Sequence, residues 1–355
     1  MAFGASWTRR PSVSPRSTPR TLTQKELNRA TLARQLLLRR SGLPVSRAVD
    51  RLCAVQAQSP REAYIGLWSR LDGFERSSLT GALERRQVVR ATLFRMTLHF
   101  VSATNYPAFA AVTQRRWRED LLREGLSVED MAERIGRLAE LGTFTYADAA
   151  ALTPELAGRP FRVRCVTPLV HVPPSGTWSQ TRVRLTTADR WLDAPAPAHE
   201  AAAAHLVKSY LAAFGPATRQ DLLKFSGLRV ADVRPALEAL EPQLRRFRNE
   251  QERELFDLPR APRPDPDTPA PVRFLPKWDA LVLSHADRTR VLPPEYQAEV
   301  ITGGYVFSSF LVDGLVAGLW RLERGRIKLE PFVPLPRRIS REAENEARRL
   351  RAFLA

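Results

Sequence analysis

The sequence predicts an α+β fold: three tandem units of helices closed by a β-hairpin, then a small carboxy-terminal β domain. Three observations carry that reading. Apolar residues recur at spacings of three and four over several segments and then alternate with period two in the stretches that follow, the switch from helix to strand. The texts opening at Gly142 and Gly215, 73 residues apart, are alike and suggest an internal repeat. Past a proline-rich stretch ending at residue 271, the pattern turns to short strands. Helices, a helix-turn-helix and a hairpin make a winged helix. The expected division is therefore three winged-helix domains at 22–104, 105–195 and 196–258, a linker at 259–271, a β domain at 272–335 and a last helix at 336–355.

Residues 1–21 are rich in Ser, Pro, Thr and Arg and lack the apolar surface to offset ordering entropy. A disordered basic tail is expected, either an arm that follows a polyanion or the product of an upstream start codon. Thr23 caps a helix that runs to about Arg40, with Glu26 completing a capping box. Gly42 and Pro44 end it, and Val45, Val49, Leu52 and Val55 mark a second helix over 45–55. Tyr64, Leu67, Trp68 and Leu71 mark a third, Leu79 to Arg86 a fourth, and Val88 to Val101 alternates as a hairpin.

In the second unit, Arg115, Arg116 and Arg118 surround Trp117 on a helix extended by Leu121 and Leu122. Gly142 to Leu152 reads as a short strand and a helix, and Leu169 to Leu185 as a hairpin around Pro173-Pro174-Ser175-Gly176. In the third, Gly215-Pro216 stops the helix from Glu200 to Phe214. Thr218 caps Arg219 to Phe225, Gly227 turns the chain into Val230 to Leu240, and Leu244 to Leu258 pairs as strands. The last strands turn at Asp313-Gly314 and at Gly325. Ser340 is expected to cap a helix with Ala343, Ala347 and Leu350 on one face.

The net charge of +17 points to a polyanionic partner. Two cysteines exclude a disulfide framework, and no run is long and apolar enough for a membrane span or signal peptide. A soluble, cytoplasmic, nucleoid-associated monomer is expected. The five histidines show no metal-ligand spacing and no phosphate-binding loop is present, so no cofactor is expected. Ser284-His285-Ala286-Asp287 resembles a catalytic triad only in print, because triads assemble from distant positions.

The stretch the chain is organised around is Ala54-Val55-Gln56-Ala57-Gln58-Ser59-Pro60. Pro60 disfavours the α conformation at Ser59, so the helix should loosen by the second glutamine. In an extended segment Gln56 and Gln58 share a face and present two uncharged carboxamides, which offer donors and acceptors together. By spacing alone the pair is either a solvated helix end or a site.

The surrounding text decides. Leu27-Asn28-Arg29, Ala33-Arg34-Gln35-Leu36-Leu37, Gln56-Ala57-Gln58, Tyr64-Ile65-Gly66-Leu67-Trp68 and Arg95-Met96-Thr97-Leu98-His99-Phe100-Val101 together resemble the AlkZ/YcaQ family of winged-helix DNA glycosylases. The resemblance runs from about Leu22 to about Leu335 and includes the Gln-Φ-Gln form of the family's catalytic motif. It implies double-stranded DNA with alkylated or crosslinked bases as the partner, and Gln56 and Gln58 as the catalytic residues. Arg95, Thr97 and His99 match the family's Arg-x-Thr-Leu-His segment and are candidate DNA contacts, or ordinary outward strand residues; Met96 departs from the small residue usual there. Asn28 matches as a candidate support for a glutamine, with an exposed helix residue as the plain alternative. Arg115, Arg116 and Trp117 are further candidate DNA contacts, Trp117 either stacking on a base or anchoring the core.

The chemistry fits. Glycosidases commonly manage an oxocarbenium-like transition state with two carboxylates, but an N7-alkylated guanine is already cationic and leaves neutral, so no general acid is needed. No lysine lies next to the motif in sequence, which points to a monofunctional enzyme leaving abasic sites. The competing reading is a non-enzymatic winged-helix regulator, which the glutamine pair does not require.

Overall fold

The first helix shows how local chemistry sets the chain. Thr23 accepts from the Glu26 backbone N–H, Glu26 accepts from the Thr23 N–H at 2.8 Å, and this capping box opens Gln24–Arg34. The helix stops at Arg34 rather than near Arg40, where Leu36 takes φ 58° and turns the chain. The computed structural model describes residues 19–156, 158–180 and 182–355, so residues 1–18 of the tail expected over 1–21 lie outside the described residues. Thr21, grouped with that tail, instead opens the strand Thr21–Leu22, which lies parallel to Arg245–Asn249.

The architecture is mixed α+β. Helices Val45–Arg51, Pro60–Arg70 and Arg76–Glu84 precede the hairpin of Val88–Thr92 and Leu98–Ser102. The second helix is shorter than its apolar spacing suggests. It ends at Arg51 because Val55–Gln56 is drawn into antiparallel pairing with Leu98–Ser102, and Cys53 turns the chain at φ 67°. The long helix Tyr106–Arg123 and helix Val128–Leu141 follow, then a capping box at Thr145 and Asp148 that opens Tyr146–Ala151.

Strands Leu169–His171 and Leu185–Thr187 pair as expected, but they extend the sheet of the first hairpin. A single five-stranded sheet results, with Val55–Gln56 at one edge and Leu185–Thr187 at the other. Helix His199–Phe214 is followed by the capping box of Thr218 and Asp221, helix Arg219–Ser226, Gly227 at φ 71° and helix Val230–Leu240. Strands Arg245–Asn249 and Glu254–Asp257 close that unit. A continuous apolar core joins Val89, Phe94 and Phe109 to Tyr210, Phe214 and Phe225.

The carboxy-terminal sheet contains Arg273–Leu275, Ser309–Val312, Leu315–Glu323 and Arg326–Pro331. Positive φ at both Asp313 and Gly314 makes the expected tight turn. The last helix, Arg337–Leu354, begins beyond Pro336, one turn earlier than a Ser340 cap would place it, and buries Ala343, Ala347 and Leu350. Buried ion pairs tie the parts together, with Arg34 gripping Asp257 through two bonds (2.7 and 2.9 Å) and Arg70 gripping Asp279 through two (2.7 and 2.8 Å). No helix among the described residues is long and apolar enough to cross a membrane.

Candidate active site

Gln56 and Gln58 sit on and just after the edge strand, not on a helix. Gln56 pairs with His99, and the ladder continues where Ala57 N–H donates to the Leu98 carbonyl at 2.7 Å. The extended backbone puts both carboxamides on one side. Pro60 opens the next helix, with Ser59 extended before it (φ −107°, ψ 122°). An edge strand leaves this side of the motif uncovered, and Gln58 is exposed while Gln56 is half-buried.

Each carboxamide oxygen is held by a fixed donor. Arg95 Nη2 donates to Gln56 Oε1 at 3.3 Å, and the Leu98 N–H donates to Gln58 Oε1 at 3.2 Å. Each oxygen retains a second lone pair. Arg95 lies in the tight turn of the hairpin at φ 52°, so it is not on a strand face with Thr97 and His99 as the alternation suggested. It also donates to the Phe225 carbonyl at the end of helix Arg219–Ser226 and lies over the Phe225 ring at 5.7 Å. A Cβ on Gly227 would stand 3.2 Å from Arg95 N and Cα, so a glycine here lets the two backbones meet. Burial lowers the Arg95 guanidinium to about 10, which leaves it charged at neutral pH.

Arg90, unlike the half-buried Arg95, is a buried cation, also lowered to about 10 by burial. Its Nε and Nη2 donate to the Ala57 carbonyl at 3.1 and 2.9 Å, and Nη2 reaches the Gln58 carbonyl at 3.4 Å. Its Nη1 lies 3.2 Å from His171 Nδ1. Arg90 thus clamps the backbone of the motif, as Arg95 clamps one side chain.

Other candidates fall elsewhere. His99 is 2% exposed, shares Nδ1 with the Thr97 carbonyl at 2.9 Å and meets Phe94 edge-on. Burial, and then the charge of Arg95, lower its ring to about 3. It packs behind Gln56 and does not face solvent. Thr97 is half-buried, and its hydroxyl donates to the Phe94 carbonyl at 3.0 Å. Asn28 is buried, so it is not the exposed helix residue of the plain alternative. Its amide donates to the Arg290 and Gly314 carbonyls at 2.6 and 2.9 Å, fastening the first helix to the carboxy-terminal part, far along the chain from either glutamine. Trp117 is 9% exposed within the core of its own unit, so its ring packs rather than stacks on a base. Arg115 and Arg116 pair with Glu119 and Asp120 on the same helix. Ser284 and His285 are buried, and His285 Nε2 meets the Phe214 carbonyl at 3.0 Å, which leaves no triad.

Sequence reasoning missed the far wall. Gln56 shares a narrow recess with Gln35, Lys277 and Trp278. The segment Pro276–Ala280 is fixed there by the Arg70–Asp279 pair and by Glu62, which accepts from the Lys277 N–H at 2.9 Å. A lysine remote in sequence is thus near the motif in space. Trp278 takes φ 55°, and of the nine non-glycine residues with positive φ among those described, Cys53, Arg95, Met96 and Trp278 flank this site or its turn. Such backbone costs of order 1–3 kcal/mol each and gathers at functional sites. Among the described residues no group of three His, Cys, Asp or Glu side chains is placed to hold a metal ion.

A pair of carboxamides on and just after an edge strand thus lies beside one buried guanidinium, Arg90, and one half-buried guanidinium, Arg95. The whole fold is similar to that of Streptomyces sahachiroi DNA glycosylase AlkZ, with a TM-score of 0.79, 20% identity, and coverage of 94% of this chain and 97% of that one. That likeness is one of fold. The model of the DNA glycosylase AlkZ-like family matches residues 49–353, and the chain belongs to that family and is a DNA glycosylase. No curated protein matches it in sequence.

Proposed function

We propose that the enzyme hydrolyses the N-glycosidic bond of bulky N7-alkylated purines, unhooks interstrand crosslinks made through N7, and leaves abasic sites. The observation that carries this reading is the fate of the carboxylates around the motif. Asp50 accepts from Ser102 Oγ at 2.8 Å, Asp279 is committed to Arg70, and Glu62 is committed to the Lys277 N–H. The groups left to act on a sugar are Gln56 and Gln58, which are neutral.

Carboxamides are weak bases, so they cannot drive out a poor leaving group. They suit a base already cationic, whose departure needs only a placed water and a stabilised sugar cation. The free lone pairs of the two oxygens hold the attacking water on the face opposite the base. Arg95 would repel that cation if it stood alone, so we assign a phosphate of the lesion strand to it, which neutralises one charge with the other. The three helix–hairpin units are read as winged helices that grip the duplex, with divisions near 104, 195 and 258. Family membership leaves no support for a purely regulatory protein.

Single-turnover excision on matched duplexes tests the assignment. Gln56→Ala and Gln58→Ala should each lose about 10²–10³ in rate on N7-methylguanine, with DNA affinity little changed. Uracil, hypoxanthine and 8-oxoguanine should remain uncut. Near-normal excision by either variant removes that residue from its role, and comparable rates on a neutral lesion overturn the mechanism.

A further inference from the structure

The second unit reaches the glutamine motif from behind. Its strand Leu169–His171 pairs with Val88–Thr92, and that ladder sets His171 opposite Arg90. His171 Nδ1 stands 3.2 Å from Arg90 Nη1 and 2.8 Å from Ser175 Oγ, and all three side chains are buried. The turn after the strand closes over Arg90. A Cβ on Gly176, at φ 89°, would stand 2.6 Å from Arg90 Cδ, so a side chain there would displace the arginine. The loop is itself fixed. Ser175 N–H donates to the Val172 carbonyl at 3.0 Å, and Thr177 Oγ1 donates to the Pro174 carbonyl at 2.8 Å. The Trp178 carbonyl accepts from Arg61 Nε at 3.3 Å, on the helix that starts two residues after Gln58.

Donor and acceptor capacity settles the state of the ring. A guanidinium has donors only, so Nδ1 must carry the lone pair and the proton sits on Nε2. Burial, and then the charges of Arg90 and Arg164, hold the ring well below its ordinary titration range, which keeps it neutral at pH 7. Nε2 is buried and meets no acceptor among the described residues. A histidine kept only for packing would find a partner for that proton. This one leaves it stranded and commits its other nitrogen to Arg90. The Ala57 and Gln58 carbonyls take Nε and Nη2 of the guanidinium while His171 takes Nη1, so its plane is held from both ends.

We infer that His171, its ring held by Ser175, is a positioning residue for the glutamine motif and acts through the Arg90 guanidinium. The inference rests on the reading of Gln56 and Gln58 given above. It makes the second unit part of the active site and not only a grip on the duplex. The motif lies on an edge strand with a neighbour on one side alone, so its carbonyls are placed by whatever places Arg90.

The test is single-turnover excision of N7-methylguanine from one duplex at saturating enzyme, with a binding titration and thermal unfolding on each variant. An asparagine at 171 brings its carboxamide oxygen to where Nδ1 stands, whereas a glutamine reaches the place of Nε2. His171→Leu and His171→Gln should slow excision about tenfold to a hundredfold, and His171→Asn should stay within about threefold of the parent. DNA affinity should be unchanged in all three. In an Arg90→Met background His171→Leu should add less than about twofold, since residues that act through one another are not additive. A parental rate in His171→Leu, equal losses in the asparagine and leucine variants, or losses that multiply in the double variant overturn the assignment. Should His171→Leu not fold, Ser175→Ala removes a single hydroxyl and should slow excision about threefold or more; a parental rate there overturns it as well. Gln56→Ala and Gln58→Ala, run alongside, separate the two readings. Normal excision in both defeats the reading of the glutamines and this assignment with it, whereas their loss beside a parental His171→Leu defeats this assignment alone.

Discussion

Replacing Arg90 by methionine tests whether the backbone of the glutamine motif needs its clamp. The change removes two good hydrogen bonds to the Ala57 carbonyl, at 3.1 and 2.9 Å, and a longer one to the Gln58 carbonyl at 3.4 Å. Bonds from a charged donor are worth about 1.5–3 kcal/mol each, and a stranded buried carbonyl costs about 1–3 kcal/mol. Against this, no carboxylate among the described residues pairs with Arg90, whose partners are the Ala57 and Gln58 carbonyls and His171, and taking a lone charge out of the interior returns several kcal/mol of desolvation. The two terms largely cancel, so we expect a stability loss of only about 1–3 kcal/mol. The rate should not be spared. With its carbonyls released the strand shifts, and a misplacement of about 1 Å costs about 10²-fold. Single-turnover excision gives the rate, a binding titration the affinity, and thermal unfolding the stability. Arg90→Lys keeps the charge without the fork and should recover only part of the loss. A folded Arg90→Met enzyme that excises within about threefold of the parent would falsify the clamp.

Three further outcomes follow from the same geometry. Gly227→Ala forces a Cβ to 3.2 Å from the Arg95 backbone at φ 71°; it should cost about 1–2 kcal/mol of stability and slow excision, and a rate unchanged in the folded variant contradicts the contact. Acid should destabilise the fold before it alters the glutamines. His99 titrates near 3 when folded and His171 and His285 lie below their ordinary value, so the unfolded chain binds more protons below pH 6.5. Stability is then full above that pH and falls below it, by about 1.4 kcal/mol per unit for His99 down to its folded value near 3, with His171 and His285 adding in the same direction; a flat unfolding midpoint between pH 7 and 5 contradicts it. Borohydride should trap no covalent enzyme–DNA complex, and a trapped complex that disappears in Lys277→Gln would make the enzyme a lyase as well.

Much of the fold was legible because much of it is local. The capping boxes at Thr23, Thr145 and Thr218 join residues three apart, and the helices after Thr23 and Thr218 begin where the sequence says, while the start after Thr145 was legible only to within the stretch 142–152. The second helix was misjudged because its apolar spacing continues past Arg51, while the pairing that ends it comes from Phe100 and His99, more than forty residues on. The shared five-stranded sheet was invisible for the same reason: each hairpin could be read, but not its neighbour. Trp117 shows the limits of composition, since flanking arginines say nothing of which way the ring points. Arg90 had a signal that went unread, a lone charge inside Val88-Val89-Arg90-Ala91-Thr92 that must find buried acceptors. Lys277 had none, because only tertiary packing brings it beside Gln56.

The support of Arg95 by Phe225 and the closure of the recess by Pro276–Ala280 bear on when the enzyme becomes active. On the ribosome, the glutamines emerge early and can pair with the hairpin once residue 102 is out. At that moment the guanidinium on Gln56 has no carbonyl behind it, and the recess has no far wall. Both arrive only when most of the chain has been synthesised. A nascent or prematurely terminated product therefore carries the two glutamines without the Phe225 carbonyl behind Arg95 and without the wall of Pro276–Ala280.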